Sequence, residues 1–573
     1  MQMLSRLAFL AFLTVALSVN ASAAPDETAA QRDARLKWWR EARFGLFVHW
    51  GPVSLKGTEI GWSRGAQVPS DVYDELCRDF NPTNFSAETW ARTAKDAGMK
   101  YLVLTSKHHD GFCLWDSKLT QYDIMNTPFR RDVVKELAAA CRKHGIVFCT
   151  YHSICDWYQP DYPLGSPGGR SPKAEPNMDR YNLYLKNQLV ELLQNYGRIG
   201  IMWFDGEWEK PWTHARGLDL YQWVRRFQPR TIINNRVGIG RGGMEGGTEA
   251  GAFGGDYDTP EQRVGKFQND RPWESCITIC QQWAWKPNDR MKSLQECLQT
   301  LIYCAGGDGN LLFNVGPMPD GAIEPRQVER LREMGAWLKT YGESIYKTRG
   351  GPFKPGKWGA STHRGSRIYL HVFRWPDGGL QLPDIGTKIR SIKALMGGQV
   401  ECTQTPDGIV INVPPESRQE IDTLIELRLD GSAADIAPVA VGGRSLSADK
   451  QARASNVYQN QSGHNASRAC DGDADTRWAT DSGTKQAWLE IDLGKAETFS
   501  RVVIDEWAGG GKRVQSFKLE VKEDEAWRTL HHGSTLGSNW ELKFIPTIGR
   551  HVRLTILDAT DGPTINEFEV HRE

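Results

Sequence analysis

Between about residues 34 and 345 the chain alternates short apolar runs with longer amphipathic stretches. FGLFVHWG (44–51) is an apolar run that ends in His49. SAETWARTAKDA (86–97) opens on a serine start signal with helical spacing. Gly98 follows, then a strand over 101–105 that runs into Lys107, His108, His109 and Asp110. The pattern repeats: helix 133–144, Gly145, strand 146–151, His152; helix 181–196, strand 199–204, Asp205; helix 218–227, then TIINNR ending at Arg236. Repeated helix–strand units with polar residues at the strand ends specify a parallel sheet, and the length fits one (β/α)8-like TIM barrel. GNLLFNVGP (309–317) is a late strand, and a helix over 324–341 closes the barrel, with Val328, Leu331, Met334 and Leu338 on one buried face.

The texture then changes. Over 346–440, SRIYLHVF, SIKALM, GIVINVP and TLIELRL are separated by Gly, Pro and Asp turns, the pattern of a small antiparallel β-sandwich. A Gly/Ala/Ser/Pro stretch (431–448) reads as a linker. Residues 449–573 form a second all-β module, a β-sandwich, with AWLEIDLG, FSRVVIDEW, VQSFKLEVK and HVRLTIL. At the N-terminus, Arg6 precedes an apolar run from Leu7 to Val19, and Ala21-Ser22-Ala23 is a small-x-small cleavage site. Residues 1–23 thus read as a signal peptide, the mature chain (24–345 for the barrel) starts near Ala24, and the expected location is secreted or periplasmic in a bacterium. The apolar run is too short for a membrane span.

Composition removes several classes. Lys+Arg and Asp+Glu are balanced at 70 each, with no basic stripe for nucleic acid. Trp is abundant at 22 residues in a chain of mean hydropathy −0.51, which suits stacking on sugar rings as well as core packing. The 11 cysteines lack zinc spacing, and buried free thiols are the default, with a few disulfides left open by an oxidising compartment.

The candidate chemistry lies at the strand ends. In IMWFDGEW (201–208) an apolar strand delivers Asp205 to its C-terminal end, where barrel enzymes work, with Trp203 and Trp208 as flat neighbours. His49, His108, His109, Tyr151, His152, Asp205 and Arg236 all fall at such ends, which points to one polar pocket for a hydroxyl-rich, uncharged ligand. Adjacent His108 and His109 diverge on extended chain, and no HxH or HExxH spacing supports a catalytic metal. Glycoside hydrolysis needs a second carboxyl. Candidates are Glu245 and Glu249 in the Gly-rich run GIGRGGMEGGTEAGAFGG, Glu261 after GDYDTP, and Glu274 entering a strand, which reads as structural.

The motifs WWREARFGLFVHWG (38–51), EIGWSRG (59–65), YLVLTSKHHDGFCLWDS (101–117), IMWFDG (201–206), INNR (233–236), GDYDTPE (255–261), PWESC (272–276) and GNLLFNVGP (309–317) resemble, in order, an α-L-fucosidase of glycoside hydrolase family 29. The resemblance implies a retaining mechanism with Asp205 as nucleophile and Glu261 as acid/base, Glu249 standing in reserve. It implies sugar contacts at His49, His108, His109, Trp203 and Arg236, and at Tyr151 or His152. Trp283 matches a residue facing the sugar's methyl group. The family's Glu-Trp pair is spread here into Glu59-Ile-Gly-Trp62. Residues 454–494 resemble a discoidin-like, coagulation factor 5/8 C-domain module, also classed as carbohydrate-binding module family 32. There the resemblance implies a structural Ca²⁺ held by Asp471, Asp473, Thr476 and Glu567, or else a metal-free Asx/Gly turn. No catalytic cofactor is implied. The expected activity is a retaining exo-α-L-fucosidase acting on fucosylated oligosaccharides or polysaccharides, the alternatives being a non-catalytic glycan-binding protein or an α-L-galactosidase. The sequence leaves the oligomeric state open.

Overall fold

The computed structural model describes residues 27–572, except 168–174, 377, 407, 442–444, 473–475, 508 and 510. The signal segment 1–23 and Asp473 therefore lie outside the described residues. Seven parallel strands form the central sheet: β1 Phe44–Val48, β2 Tyr101–Lys107, β3 Val147–Ser153, β4 Ile201–Asp205, β5 Ile232–Ile233, β6 Glu274–Thr278 and β7 Asn310–Val315. Their order is β5-β4-β3-β2-β1-β7-β6. Helices α1 Ala29–Ala42, α2 Ser70–Glu75, α3 Ala87–Asp96, α4 Val133–His144, α5 Met178–Asn195, α6 His214–Phe227, α7 Leu294–Gly306 and α8 Pro325–Tyr341 complete the barrel region. Local chemistry sets the helix ends. Ser86 and Asp132 accept the Thr89 and Lys135 amides at the starts of α3 and α4, and Gly145 ends α4 at φ 71°.

The strand runs are apolar throughout because both faces are covered. Leu46, Val48, Leu102, Leu104, Phe148, Met202, Phe204, Leu311 and Phe313 face the helices and share their core. The alternate residues, Phe47, Tyr101, Val103, Cys149, Tyr151, Ile201, Trp203, Cys276 and Leu312, fill the lumen. At the lumen floor Glu274 accepts hydrogen bonds from Trp39 Nε1 (3.0 Å), Tyr101 OH and Tyr257 OH (3.3 Å). Burial pushes its carboxyl up to about 7, and it is structural, as the sequence reads it.

The two edges of the sheet are closed by an irregular stave, residues 256–262. On one side Asp256 N donates to Ile233 O (2.7 Å) and Asn235 N to Tyr257 O (2.9 Å). On the other, Glu274 N donates to Asp258 O (2.9 Å), Cys276 N to Pro260 O (3.0 Å) and Gln262 N to Cys276 O (2.9 Å). Pro260 has no N–H and Gln262 sits at φ 55°, so the stave makes isolated parallel bridges rather than a regular strand.

After the barrel, strands Ile389–Ala394, Thr423–Leu429, Arg367–Val372, Gly359–Arg364 and Arg349–Gly350 make a five-stranded antiparallel sheet, in that order. Ala360 of this sheet shares the core of the barrel helices. At Gly306, the end of α7, a Cβ would lie 2.6 Å from the Ala360 Cβ. The first compact unit runs to Val439, apart from Gln381–Asp384 and Thr405–Ile409, which count with the second unit, Ala440–Glu573. The second unit is antiparallel around the long strands Ala487–Glu506 and Trp540–Ala559, whose alternate residues (Leu489, Ile491, Val502, Ile504, Val552, Leu554, Ile556) build its own core. All eleven cysteines are free, and all but Cys77 and Cys402 are buried. Among the described residues no helix is long and apolar enough to cross a membrane.

Candidate active site

Strand parity and the C-terminal strand ends bring nine of the candidate residues into one cavity of about 330 Å³, His109 standing behind its lining. It is lined by His49, Trp62, His108, Tyr151, Trp203, Asp205, Arg236, Glu261 and Trp283, all anticipated from the sequence. Phe47, Glu207, Trp208, Arg241, Gly243, Met244 and Cys276 also line it.

Asp205 ends β4. Its Oδ1 accepts from Arg236 NH1 (2.7 Å) and its Oδ2 from Tyr151 OH (3.0 Å), with His109 Nε2 at 3.6 Å. Burial, the largest single influence, would raise the Asp205 carboxyl, but Arg236, His109 and Arg241 together outweigh it and hold the group below the usual carboxylate range. The other arm of the same guanidinium, NH2, donates to Glu261 Oε2 (2.8 Å), and Arg241 approaches that oxygen at 3.6 Å. Arg236 lies over the Trp203 ring, 4.6 Å from its centroid. One buried cation thus spaces the two carboxyl groups. Glu261 itself is fixed through the closing stave, where its N–H donates to Met244 O (2.9 Å).

The imidazoles are neutral hydrogen-bonding groups. Burial lowers His49 to about 3 and His109 to about 4, and drives His108 well below the ordinary histidine range. His49 Nδ1 lies 2.7 Å from Asn314 Oδ1, and Asn314 Nδ2 donates to Trp283 O (2.7 Å). With that amide so oriented, His49 Nδ1 carries the hydrogen and Nε2 is an acceptor. His109 Nδ1 is 2.6 Å from Ser153 Oγ. His108 stacks on Tyr151, centroids 5.3 Å apart and planes at 6°.

Trp283 stands beside His49 and Phe47, at 4.8 and 6.0 Å between centroids, as an apolar wall. Glu59 does not line the cavity. Its oxygens accept from the amides of Trp283 (2.9 Å), Ala284 (3.1 Å) and Ile60 (3.0 Å), so it acts on the pocket by holding the Trp283 loop. Burial raises its carboxyl to about 7 despite those donors. Trp62, 41% exposed, stacks on Trp208 at the mouth, 6.1 Å between centroids.

His152 corrects the sequence reading. It follows Tyr151 on β3 and therefore takes the opposite face. Its ring packs 5.8 Å from Trp115 and its Nδ1 lies 3.2 Å from Ser106 Oγ, away from the cavity. Glu245 and Glu249 are exposed and do not line the cavity, yet their Gly-rich run is tied down at Gly246, whose O accepts from Asn235 Nδ2 (2.7 Å) and Thr259 N (3.2 Å). Sequence reasoning missed Glu207 and Arg241 as pocket residues. The signal for Glu207 was its place two residues after Asp205, across Gly206. In the second unit Thr476 Oγ1 meets Asp471 Oδ1 at 2.8 Å, and Glu567 is buried. Among the described residues no three His, Cys, Asp or Glu side chains gather as a metal site.

Residues 12–343 match the alpha-L-fucosidase family, and residues 451–569 match the F5/8 type C domain. The tissue alpha-L-fucosidase of Rattus norvegicus is 30% identical over 419 residues, covering 66% of this chain and 86% of that protein. The alpha-L-fucosidase isoenzyme 1 of Paenibacillus thiaminolyticus is 34% identical, with a TM-score of 0.63 over 70% of this chain and 99% of that one. A family 29 alpha-L-fucosidase from Bacteroides thetaiotaomicron, solved as a trapped covalent intermediate with 2-fluoro-fucosyl fluoride, is 28% identical, with a TM-score of 0.62 over 70% of this chain and 97% of that one. Barrel, pocket and sequence agree: the chain belongs to the α-L-fucosidases of glycoside hydrolase family 29 and carries a discoidin-type F5/8 C domain behind its catalytic region.

Proposed function

We propose that this glycoside hydrolase is a retaining exo-α-L-fucosidase with Asp205 as nucleophile and Glu261 as acid/base. The observation that carries the reading is the pair of carboxyl groups on two arms of the Arg236 guanidinium, at the side of the cavity. The buried Phe47, Tyr151 and Trp203 and the exposed Trp62 and Trp208 along its lining suit removal of a terminal sugar. Asp205 attacks the anomeric carbon, the glycosidic C–O bond breaks, and Glu261 passes its proton to the departing oxygen. Glu261 then takes a proton from water as that water attacks the glycosyl ester, which releases fucose and restores Asp205. Arg236 keeps Asp205 ionised before attack, and the neutral imidazoles bind hydroxyls without competing charge. The wall at Trp283 favours a methyl over a hydroxymethyl group, hence fucose over galactose. The covalent intermediate trapped in the Bacteroides relative supports the double displacement.

Asp205→Ala should lower kcat at least about 10⁴-fold with the fold intact, and azide should restore part of the activity on an aryl fucoside. Near-native turnover in Asp205→Ala would refute the assignment. The leader-like N-terminus supports a secreted or periplasmic location, which export assays of the intact precursor test. The calcium expectation rests on the sequence of the 471–476 turn. If it holds, a chelator lowers the melting temperature of the second unit, and an unchanged melting temperature removes it.

A further inference from the structure

The mechanism leaves one buried carboxyl of the cavity without a task. Beyond Asp205 the chain turns at Gly206, φ 103°, where a Cβ would lie 2.8 Å from Cys155 Sγ and 2.9 Å from Cys155 N. Only glycine fits that turn. It carries Glu207 back to the cavity wall beside Asp205. Glu207 is 5% exposed, and its Oε2 has no hydrogen-bond partner among the described residues. Its nearest cation, Arg241 NH1, is 3.8 Å from Oε1, longer than a hydrogen bond. A buried polar atom left open in a binding cavity points to a ligand atom that completes it.

Its place along the cavity says which atom. The deep end is closed by Phe47, Tyr151 and Trp203, and the mouth is flanked by the exposed Trp62, Trp208 and Met244. A terminal fucose occupies the deep end, so the group it leaves must extend toward the mouth. Glu207 precedes Trp208 in the chain, both line the cavity, and Arg241 stands 3.8 Å from Glu207 and 3.6 Å from Glu261, the carboxyl assigned to the departing oxygen.

We propose that Glu207 recognises the leaving group, making one hydrogen bond through Oε2 to a hydroxyl of the sugar beyond the scissile bond, so that the substrate is fucose linked to an uncharged glycosyl unit. This rests on the fucosidase reading above. Burial pushes the Glu207 carboxyl up to about 7, the Asp205 charge adds to the rise, and Arg236 and Arg241 oppose it. The group is therefore a neutral hydrogen-bonding acid below neutrality and a carboxylate above it. The charged groups facing it are Asp205 on β4, Arg236 after β5, and Arg241 on the Gly-rich run.

The test compares full-length wild type, Glu207→Ala and Glu207→Gln on an aryl α-L-fucoside and on a set of fucosyl-hexose disaccharides. Glu207→Ala is expected to lose at least about 10-fold more kcat/KM on the best disaccharide than on the aryl fucoside, mainly through KM. Glu207→Gln, which keeps the shape and a donor, should recover most of that excess. Equal losses on both substrates, no loss, or no rescue by glutamine would overturn the inference. A wild type that cleaves the aryl fucoside but no disaccharide also overturns it. A wild type inactive on every fucoside overturns the reading beneath it instead.

Discussion

At the scale of single residues, the site is organised by Arg236, which contacts the carboxyl groups of both Asp205 and Glu261 while stacked over Trp203. Because Glu261 faces the cavity and Glu249 does not, the two make separable predictions. Glu261→Ala should slow hydrolysis of a natural disaccharide by about 10²–10⁴-fold, with a smaller first-step loss on an activated aryl fucoside. Steady-state and burst kinetics check this, and the same pattern in Glu249→Ala with Glu261→Ala unaffected would reverse the choice. The buried imidazoles make a stability prediction. His49 and His109 have folded-state pKa values near 3 and 4, below the ordinary value of about 6.5. Their depressed values favour the native state above about pH 6.5, and that contribution is lost as pH falls toward 4 and then 3. The unfolding free energy should therefore drop over this window, and more steeply in wild type than in His109→Asn, by an amount on the order of 1–3 kcal/mol. Equal slopes would show that His109 carries no such linkage.

At the scale of elements, the barrel depends on the stave over 256–262, which has no regular strand of its own. The Gly-rich run clamps it at Gly246, φ 73°, where a Cβ would lie 2.1 Å from Thr259 O. Gly246→Ala should shift Thr259 and hence Glu261, lowering kcat by about 10²-fold while most of the barrel core stays folded. Circular dichroism with kcat on the aryl substrate checks this, and wild-type kcat would contradict it. This element also marks the limit of what the chain reveals as a string. Strands β1 to β4 and β7 were legible because burial on both faces leaves continuous apolar runs between helices with Ser, Asp and Gly end signals. The closing stave was not, since GDYDTPE pairs through isolated bridges around Pro260 and carries no hydrophobic period. Strand parity explains the histidines. Tyr151 and His152 are neighbours in sequence, and only the paired register of β3 with β4 decides that Tyr151 faces Asp205. Glu207 was missed for a related reason: its place two residues after Asp205 was a signal, but nothing in GEW says that the turn at Gly206 folds back.

At the scale of the whole molecule, two cores built on different periods account for the change in sequence texture. The first combines runs buried on both faces with helical stripes, and the second an alternation along 20-residue strands that is interrupted at register shifts. Every cavity-lining residue lies in the first unit. The central claim is that this unit forms a covalent glycosyl-enzyme on Asp205. The most direct measurement is intact-mass analysis of the full-length protein after incubation with 2-fluoro-fucosyl fluoride, followed by peptide mapping. The account predicts a gain of one fluorofucosyl group per chain, on the peptide containing Asp205, with turnover lost in step. A label on Glu207 or Glu261, or no label in an enzyme that still cleaves fucosides, would contradict it.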